Sequence, residues 1–163
     1  MAVSTPEISN TAGIPLIKDA CVVIVHTEWN AAIVDLLVEG CVEVLKQKNV
    51  CIKMLQVPGA VEIPFAINHY WHTHQYRDDK PSAFIALGCV LRGGTPHFEY
   101  VCNSVTAGIT QLNLQLPVPT IFGVLTLNTT QEAEERTGGA HGHKGKEAAA
   151  TALKMISLVH QNK

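Results

Sequence analysis

The residues Arg92-Gly93-Gly94-Thr95-Pro96-His97 hold the densest chemistry in the chain. A continuous apolar run, residues 83–91, leads into them, and Phe98, Val101, Val105, Ile109, Leu112 and Leu116 follow at helical spacing. An apolar run without polar alternation suits a strand covered on both faces. Thr95 is expected as the N-cap of the following helix and Pro96 as its first residue, where a missing N–H does no harm. A side-chain-free loop entering a helix start presents free N–H groups to an anion such as phosphate. His97 falls in the first turn beside that site. The positive end of the helix dipole disfavours a second positive charge there, so a neutral imidazole, fit to carry a proton, is expected. A surface histidine without a role is the plainer alternative.

Other unusual peptides follow two more apolar runs. Glu28-Trp29-Asn30 comes after residues 20–25, and Pro58-Gly59-Ala60-Val61-Glu62 after residues 50–57. Trp29 either wedges two elements together or offers a flat face to a heteroaromatic ring. Asn30 can serve simply as the next N-cap. The Pro58-Gly59-Ala60 turn brings backbone close to any ligand, and the plainer reading of Glu62 is a first-turn dipole partner. Arg136, ahead of Gly138-Gly139, carries a planar fork that matches a phosphate, although an arginine in a short helix is commonly a solvated charge.

The elements that must position these residues alternate regularly. Strands are expected at residues 20–25, 50–57, 83–91 and 120–125, and helices at residues 31–48, from near Glu62 towards His72, and from 96 to 116. A short helix opened by a Thr129/Glu132 capping box and a final helix after Lys144-Gly145 complete the order. Strand–helix alternation predicts an α/β three-layer sandwich: a four-stranded parallel sheet, flavodoxin-like, in order 2-1-3-4, with helices on both faces. Ligands of such sheets bind beyond the carboxyl ends of the strands, where all the peptides above collect. Residues 1–18, broken by Pro6, Gly13 and Pro15, are expected to form an arm over the surface or a neighbouring subunit. Residues 19–163 are expected to form one domain.

Composition narrows the function classes. The chain has 163 residues, 47% of them hydrophobic and 16% charged, enough for a packed core. A net charge of -2 gives no electrostatic case for nucleic acid. No apolar segment approaches the ~20 residues of a membrane span, and the N-terminus lacks the order of a secretion signal, so a cytoplasmic protein is expected. The five cysteines, Cys21, Cys41, Cys51, Cys89 and Cys102, sit in apolar runs or helical stripes without a CxxC pair and are expected as buried, reduced thiols. His69/His72/His74 and His141/His143 lack partners at ligand spacing, so no metal is expected.

Four motifs in register carry a resemblance. They are Val57-Pro58-Gly59-Ala60-Val61-Glu62-Ile63-Pro64; Gly88-Cys89-Val90-Leu91-Arg92-Gly93-Gly94-Thr95-Pro96-His97-Phe98-Glu99-Tyr100-Val101; Phe122-Gly123-Val124-Leu125-Thr126; and Glu135-Arg136-Thr137-Gly138 with Lys144-Gly145. The chain resembles the 6,7-dimethyl-8-ribityllumazine synthases of riboflavin biosynthesis from about residue 20 to its C-terminus. The resemblance implies condensation of 5-amino-6-(D-ribitylamino)uracil with 3,4-dihydroxy-2-butanone 4-phosphate, releasing phosphate and water, with no cofactor or metal. It implies proton transfer by His97, stacking by Trp29, and pyrimidine and ribityl binding by Asn30, Ala60, Val61, Glu62, Cys89, Val90 and Leu91. Gly94, Thr95, Arg136 and Lys144 would hold phosphate, and Phe122 would come from a neighbouring subunit.

The resemblance also implies a homopentamer, alone, paired or in a sixty-subunit icosahedral shell, and riboflavin synthase as a partner. Many members carry phenylalanine where Trp29 stands and an aromatic where Val61 stands, and Pro96 is a local variant. The alternative is a flavin- or lumazine-binding protein on the same scaffold without catalysis, which Trp29 favours and His97 with Arg136 opposes. Without the resemblance, composition and topology imply only a flavodoxin-like phosphate- or nucleotide-binding module.

Overall fold

Four apolar runs become four parallel strands. In the computed structural model, which describes residues 9–15 and 18–162, β1 (Cys21–Thr27) leads to α1 (Ala31–Lys46), and β2 (Cys51–Val57) leads through a 3-10 turn (Ala60–Glu62) to α2 (Ile63–His74). Then β3 (Ala83–Leu91) leads to α3 (His97–Gln115) and β4 (Thr120–Leu127) to α4 (Thr130–Arg136). A small hairpin, β5 (Thr137–Gly139) and β6 (Gly142–His143), precedes α5 (Lys144–Gln161). The sheet order is β2-β1-β3-β4, the expected topology. The hairpin is an addition, since Gly138-Gly139 reads as a plain break in the sequence.

Burial follows position in the sheet. The central strands β1 and β3 are buried on both faces, while β2 and β4 expose part of theirs. Alternate residues of β1 point to opposite sides. Val22 and Ile24 pack with Leu37, Cys41, Leu45, Ala149, Leu153 and Ile156 from α1 and α5. Val23 and Val25 pack with Ile63, Ile67, Val105, Ile109 and Leu112 from α2 and α3. The three layers are thus α1/α5, sheet and α2/α3. Gly145, the second residue of α5, lies so close to α1 that a Cβ would collide with the Leu37 carbonyl.

The ends of the helices have local causes. Asn49 adopts a left-handed conformation (φ 52°) just after α1, where asparagine is the side-chain-bearing residue that tolerates it best. At the end of α3, Leu116 is extended because Pro117 disfavours helical geometry before it. Thr129 caps α4 by accepting from Glu132 N at 3.3 Å. The reciprocal arm of that box departs from expectation: Glu132 Oε2 takes the Asn128 N–H at 2.7 Å, one residue further back.

Two expectations need correction. Thr95 does not cap α3: Pro96 takes that place with helical backbone (φ -63°, ψ -3°), and no side chain caps the helix. The Pro96 carbonyl instead accepts from Glu99 N at 3.1 Å, so a tight first turn does without a cap. Nor are all the cysteines buried: Cys51 is exposed, because β2 is an edge strand, and Cys102 is half-buried on α3. Of the expected arm, residues 1–8 and 16–17 lie outside the described residues. Ile14 packs against the α1/α5 core, and its carbonyl accepts from Lys48 Nζ at 3.4 Å. No helix among the described residues is long and apolar enough to cross a membrane.

Candidate active site

Parallel strands deliver their following loops to one rim, and here three loops converge. A pocket of about 190 Å³ is lined by Trp29, Asn30, Gly59, Ala60, Cys89, Val90, Leu91, Gly93, Thr95, His97, Phe98 and Val101. The loop after β1 is tied to the loop after β2: Glu28 N donates to Val57 O at 2.9 Å and Trp29 N to Pro58 O at 3.2 Å. Thr27 Oγ1 donates to Trp29 O at 3.1 Å. Together these bonds hold an indole that is 74% exposed at the pocket edge, so the wedge reading of Trp29 fails.

Asn30 stands before α1 in a left-handed conformation (φ 59°), and its side chain does not cap that helix. Its Nδ2 crosses to β3 and donates to Cys89 O at 2.8 Å, leaving the amide oxygen as an acceptor. The Cys89 side chain faces the α1/α5 core, where burial pushes its thiol up to about 11. What Cys89 brings to the rim is therefore backbone. Ala60 is buried in the 3-10 turn, while Val61 and Glu62 beside it are exposed.

The glycine loop is braced from outside. Arg92 Nη1 pairs with the Glu99 carboxylate, its Nε donates to Asn128 Oδ1 at 2.9 Å, and its guanidinium lies 4.1 Å from the Phe98 ring centroid. These contacts join the end of β3, the first turn of α3 and the end of β4, the three points that frame the loop. The same guanidinium holds the Glu99 carboxyl below its ordinary range. A Cβ added at Gly93 or Gly94 would meet nothing within 4 Å. The chain itself therefore leaves the space over the loop open, as close approach of a ligand to backbone requires. His97, the exposed first residue of α3, borders that space.

Six of the expected site residues do not line this pocket within one chain, Val61 and Glu62 of the 3-10 turn among them. Phe122, 43% exposed on β4, and Lys144, at the start of α5, line a different groove of about 790 Å³ along the β4 edge. Lys144 Nζ is held by both carboxylate oxygens of Glu147, at 2.9 and 2.8 Å. Arg136, the last residue of α4, donates to Glu132 O at 2.9 Å and lies 3.7 Å from Glu135 Oε2. Gly94 belongs to the bare loop without lining the cavity. Gly59 and Gly93, from the two turns expected to approach a ligand, line the pocket, as do Phe98 and Val101, which in sequence belong only to the apolar stripe of α3. For Val101 the signal was present: it lies four residues after His97, hence on the same helical face.

The histidine-rich end of α2 is occupied by packing. His74 stacks on Tyr70 at 3.8 Å between ring centroids, and its Nδ1 lies 3.0 Å from Tyr70 O. Among the described residues, no group of three or more His, Cys, Asp or Glu side chains is placed to hold a metal ion.

An open parallel sheet with a bare glycine loop, a helix-start histidine and an exposed indole on its carboxyl rim defines an α/β protein with a candidate ligand site there. The comparisons make this specific. The family model described as 6,7-dimethyl-8-ribityllumazine synthase matches residues 19–160. The 6,7-dimethyl-8-ribityllumazine synthase of Porphyromonas gingivalis is 47% identical over 89% of each chain. That of Parabacteroides distasonis is 46% identical over 83% of each chain, and that of Cytophaga hutchinsonii 41% identical over 96% of this chain and 98% of its own. The chain belongs to the 6,7-dimethyl-8-ribityllumazine synthase family and is an enzyme with lumazine synthase activity.

Proposed function

We propose that the rim pocket binds 5-amino-6-(D-ribitylamino)uracil and 3,4-dihydroxy-2-butanone 4-phosphate side by side and condenses them. The observation that carries this reading is the meeting of Trp29, Asn30, Ala60, Cys89, Val90, Leu91, Thr95 and His97, from three separate loops, around one cavity. Trp29 stacks on the pyrimidine. Asn30, the backbone of Cys89, Val90 and Leu91, and the turn Ala60-Val61-Glu62 hold its polar edge and ribityl chain. Gly94, Thr95 and Arg136 hold the phosphate.

The pyrimidine amine attacks the ketone to form an imine between the two substrates, releasing one water; phosphate then leaves, and ring closure expels a second water. His97 moves protons at these steps. Most of the acceleration comes from placing two reactive molecules together, and proton transfer adds roughly 100-fold. N–H groups at the start of α3 and a guanidinium ease the departure of phosphate.

One chain places Phe122 and Lys144 in a groove along β4, away from His97. In a homopentamer or a multiple of it, a neighbouring copy delivers Phe122 to the pocket. Because Lys144 shares that groove, the same copy delivers Lys144. Riboflavin synthase takes the product. A cytoplasmic location accords with these substrates. Mixing the protein with both substrates and following the lumazine chromophore tests the assignment; absence of the chromophore above the uncatalysed background overturns it.

A further inference from the structure

At the opposite end of the sheet, two thiols meet. Cys21 opens β1 and Cys51 opens β2, and they are direct partners in the parallel register. Their Sγ atoms lie 3.0 Å apart. Both side chains lie on the sheet face that carries α2 and α3, by alternation with Val23 and Val25 and with Leu55 and Val57. Ser82 Oγ accepts from Cys21 N at 3.2 Å, and Ser82 N donates to Cys21 O at 2.7 Å. Cys51 is exposed on its edge strand, whereas Cys21 is 1% exposed.

We propose that Cys21 and Cys51 form an oxidisable dithiol, a site that a hydroperoxide converts into an intrachain disulfide. Adjacent strands run about 4.8 Å apart, and disulfides span Cα separations of about 4.4–6.8 Å, so the bond forms without parting the strands. The sulfurs need to close by about 1 Å, which rotation about the side-chain bonds supplies. Exposure assigns the order of events. The Cys51 sulfur attacks the peroxide oxygen, giving a sulfenic acid and one water, or an alcohol from an organic peroxide. The Cys21 sulfur then attacks the sulfenic sulfur, forming the S–S bond and expelling a second molecule of water. In sum, two thiols and one hydrogen peroxide give one disulfide and two waters, sulfur being oxidised and peroxide oxygen reduced.

Burial and the neighbouring Cys51 sulfur push the Cys21 thiol up to about 12, which suits it to the second role rather than the first. Cys41 and Cys89 are built-in controls: both are buried, at about 12 and about 11, and neither has a sulfur partner.

The test treats the native, assembled protein with hydrogen peroxide, blocks remaining thiols by alkylation, and maps peptides without reductant. The expected result is a loss of about 2 Da per chain, a Cys21–Cys51 linked peptide, and reversal by dithiothreitol. Cys51→Ser, at an exposed position, should abolish the mass loss. Cys21→Ser should leave a Cys51 sulfenic acid that dimedone traps. The proposal is overturned if Cys51 gains oxygen irreversibly while Cys21 remains a free thiol, or if both stay fully alkylatable. Linkage between chains, or oxidation of Cys41 and Cys89 as fast as Cys51, overturns it equally.

Discussion

His97, the proton carrier in the proposed reaction, is the first residue of a helix whose approach loop carries no side chain over the space in front of it. The imidazole is thus aimed by backbone geometry more than by partners. His97→Ala should lower kcat by roughly 10- to 100-fold and leave measurable turnover, since placement of the substrates survives the change. Complete loss of the chromophore in a folded variant would contradict that division. Arg136 has two competing acceptors within its own helix, Glu132 O and the Glu135 carboxylate. Arg136→Ala should raise KM for the sugar phosphate at least tenfold and change KM for the pyrimidine little, because only the former carries a dianion. Equal loss for both substrates would remove Arg136 from the phosphate site.

Elements matter here through how their ends are secured. Arg92 grips Glu99 and the face of Phe98, both in the first turn of α3, and Asn128 just after β4. The ion pair is exposed and adds little to stability. Its larger effect falls on the loop that it brackets. Arg92→Ala should therefore lower kcat several-fold while leaving the denaturant midpoint nearly unchanged, and a fall in melting temperature large enough to explain the lost activity would refute this. At α4, Thr129→Ala removes the bond from Glu132 N to the capping hydroxyl and should cost about 1 kcal/mol in denaturant unfolding. At α5 the limit is steric. A Cβ at Gly145 would overlap the Leu37 carbonyl, which is backbone and cannot step aside, so Gly145→Ala should destabilise the fold by several kcal/mol.

At the scale of the whole molecule, two histidines tie stability to pH. His26 Nδ1 is buried without a hydrogen-bond partner, and burial lowers the pKa of that ring. His143 is also lowered, first by burial and then by Lys146; its ring packs against Gly40 of α1. For both, the folded chain holds the proton less tightly than the unfolded chain. Stability is therefore full above the unfolded value near 6.5 and declines as pH falls through it towards the folded values. Denaturant midpoints should drop between pH 7 and pH 5, and His26→Gln should flatten that slope; an unchanged slope would remove His26 as a cause. Native mass measurement decides the assembly: a pentamer or a multiple of five is expected, and a monomer would leave Phe122 and Lys144 with no copy to serve.

Periodicity and punctuation in the chain determined most of the fold. Apolar runs long enough to be covered twice specify central strands, β-strand and helix signals alternate, and parallel connections are nearly always right-handed, which leaves few topologies. Motif chemistry on the rim was legible for the same reason: a loop that follows a parallel strand has one place to go. Tertiary structure alone decided matters that depend on residues distant in the chain. Asn30 looks like a cap in sequence but bonds to Cys89, because β1 and β3 are neighbours. Cys51 looks like a core residue but is exposed and meets Cys21, because β2 occupies the edge and its register pairs the two. Phe122 and Lys144 share a groove that excludes His97, because β4 is the other edge. Local pattern records which way a side chain alternates; only the packed sheet records what waits on that side.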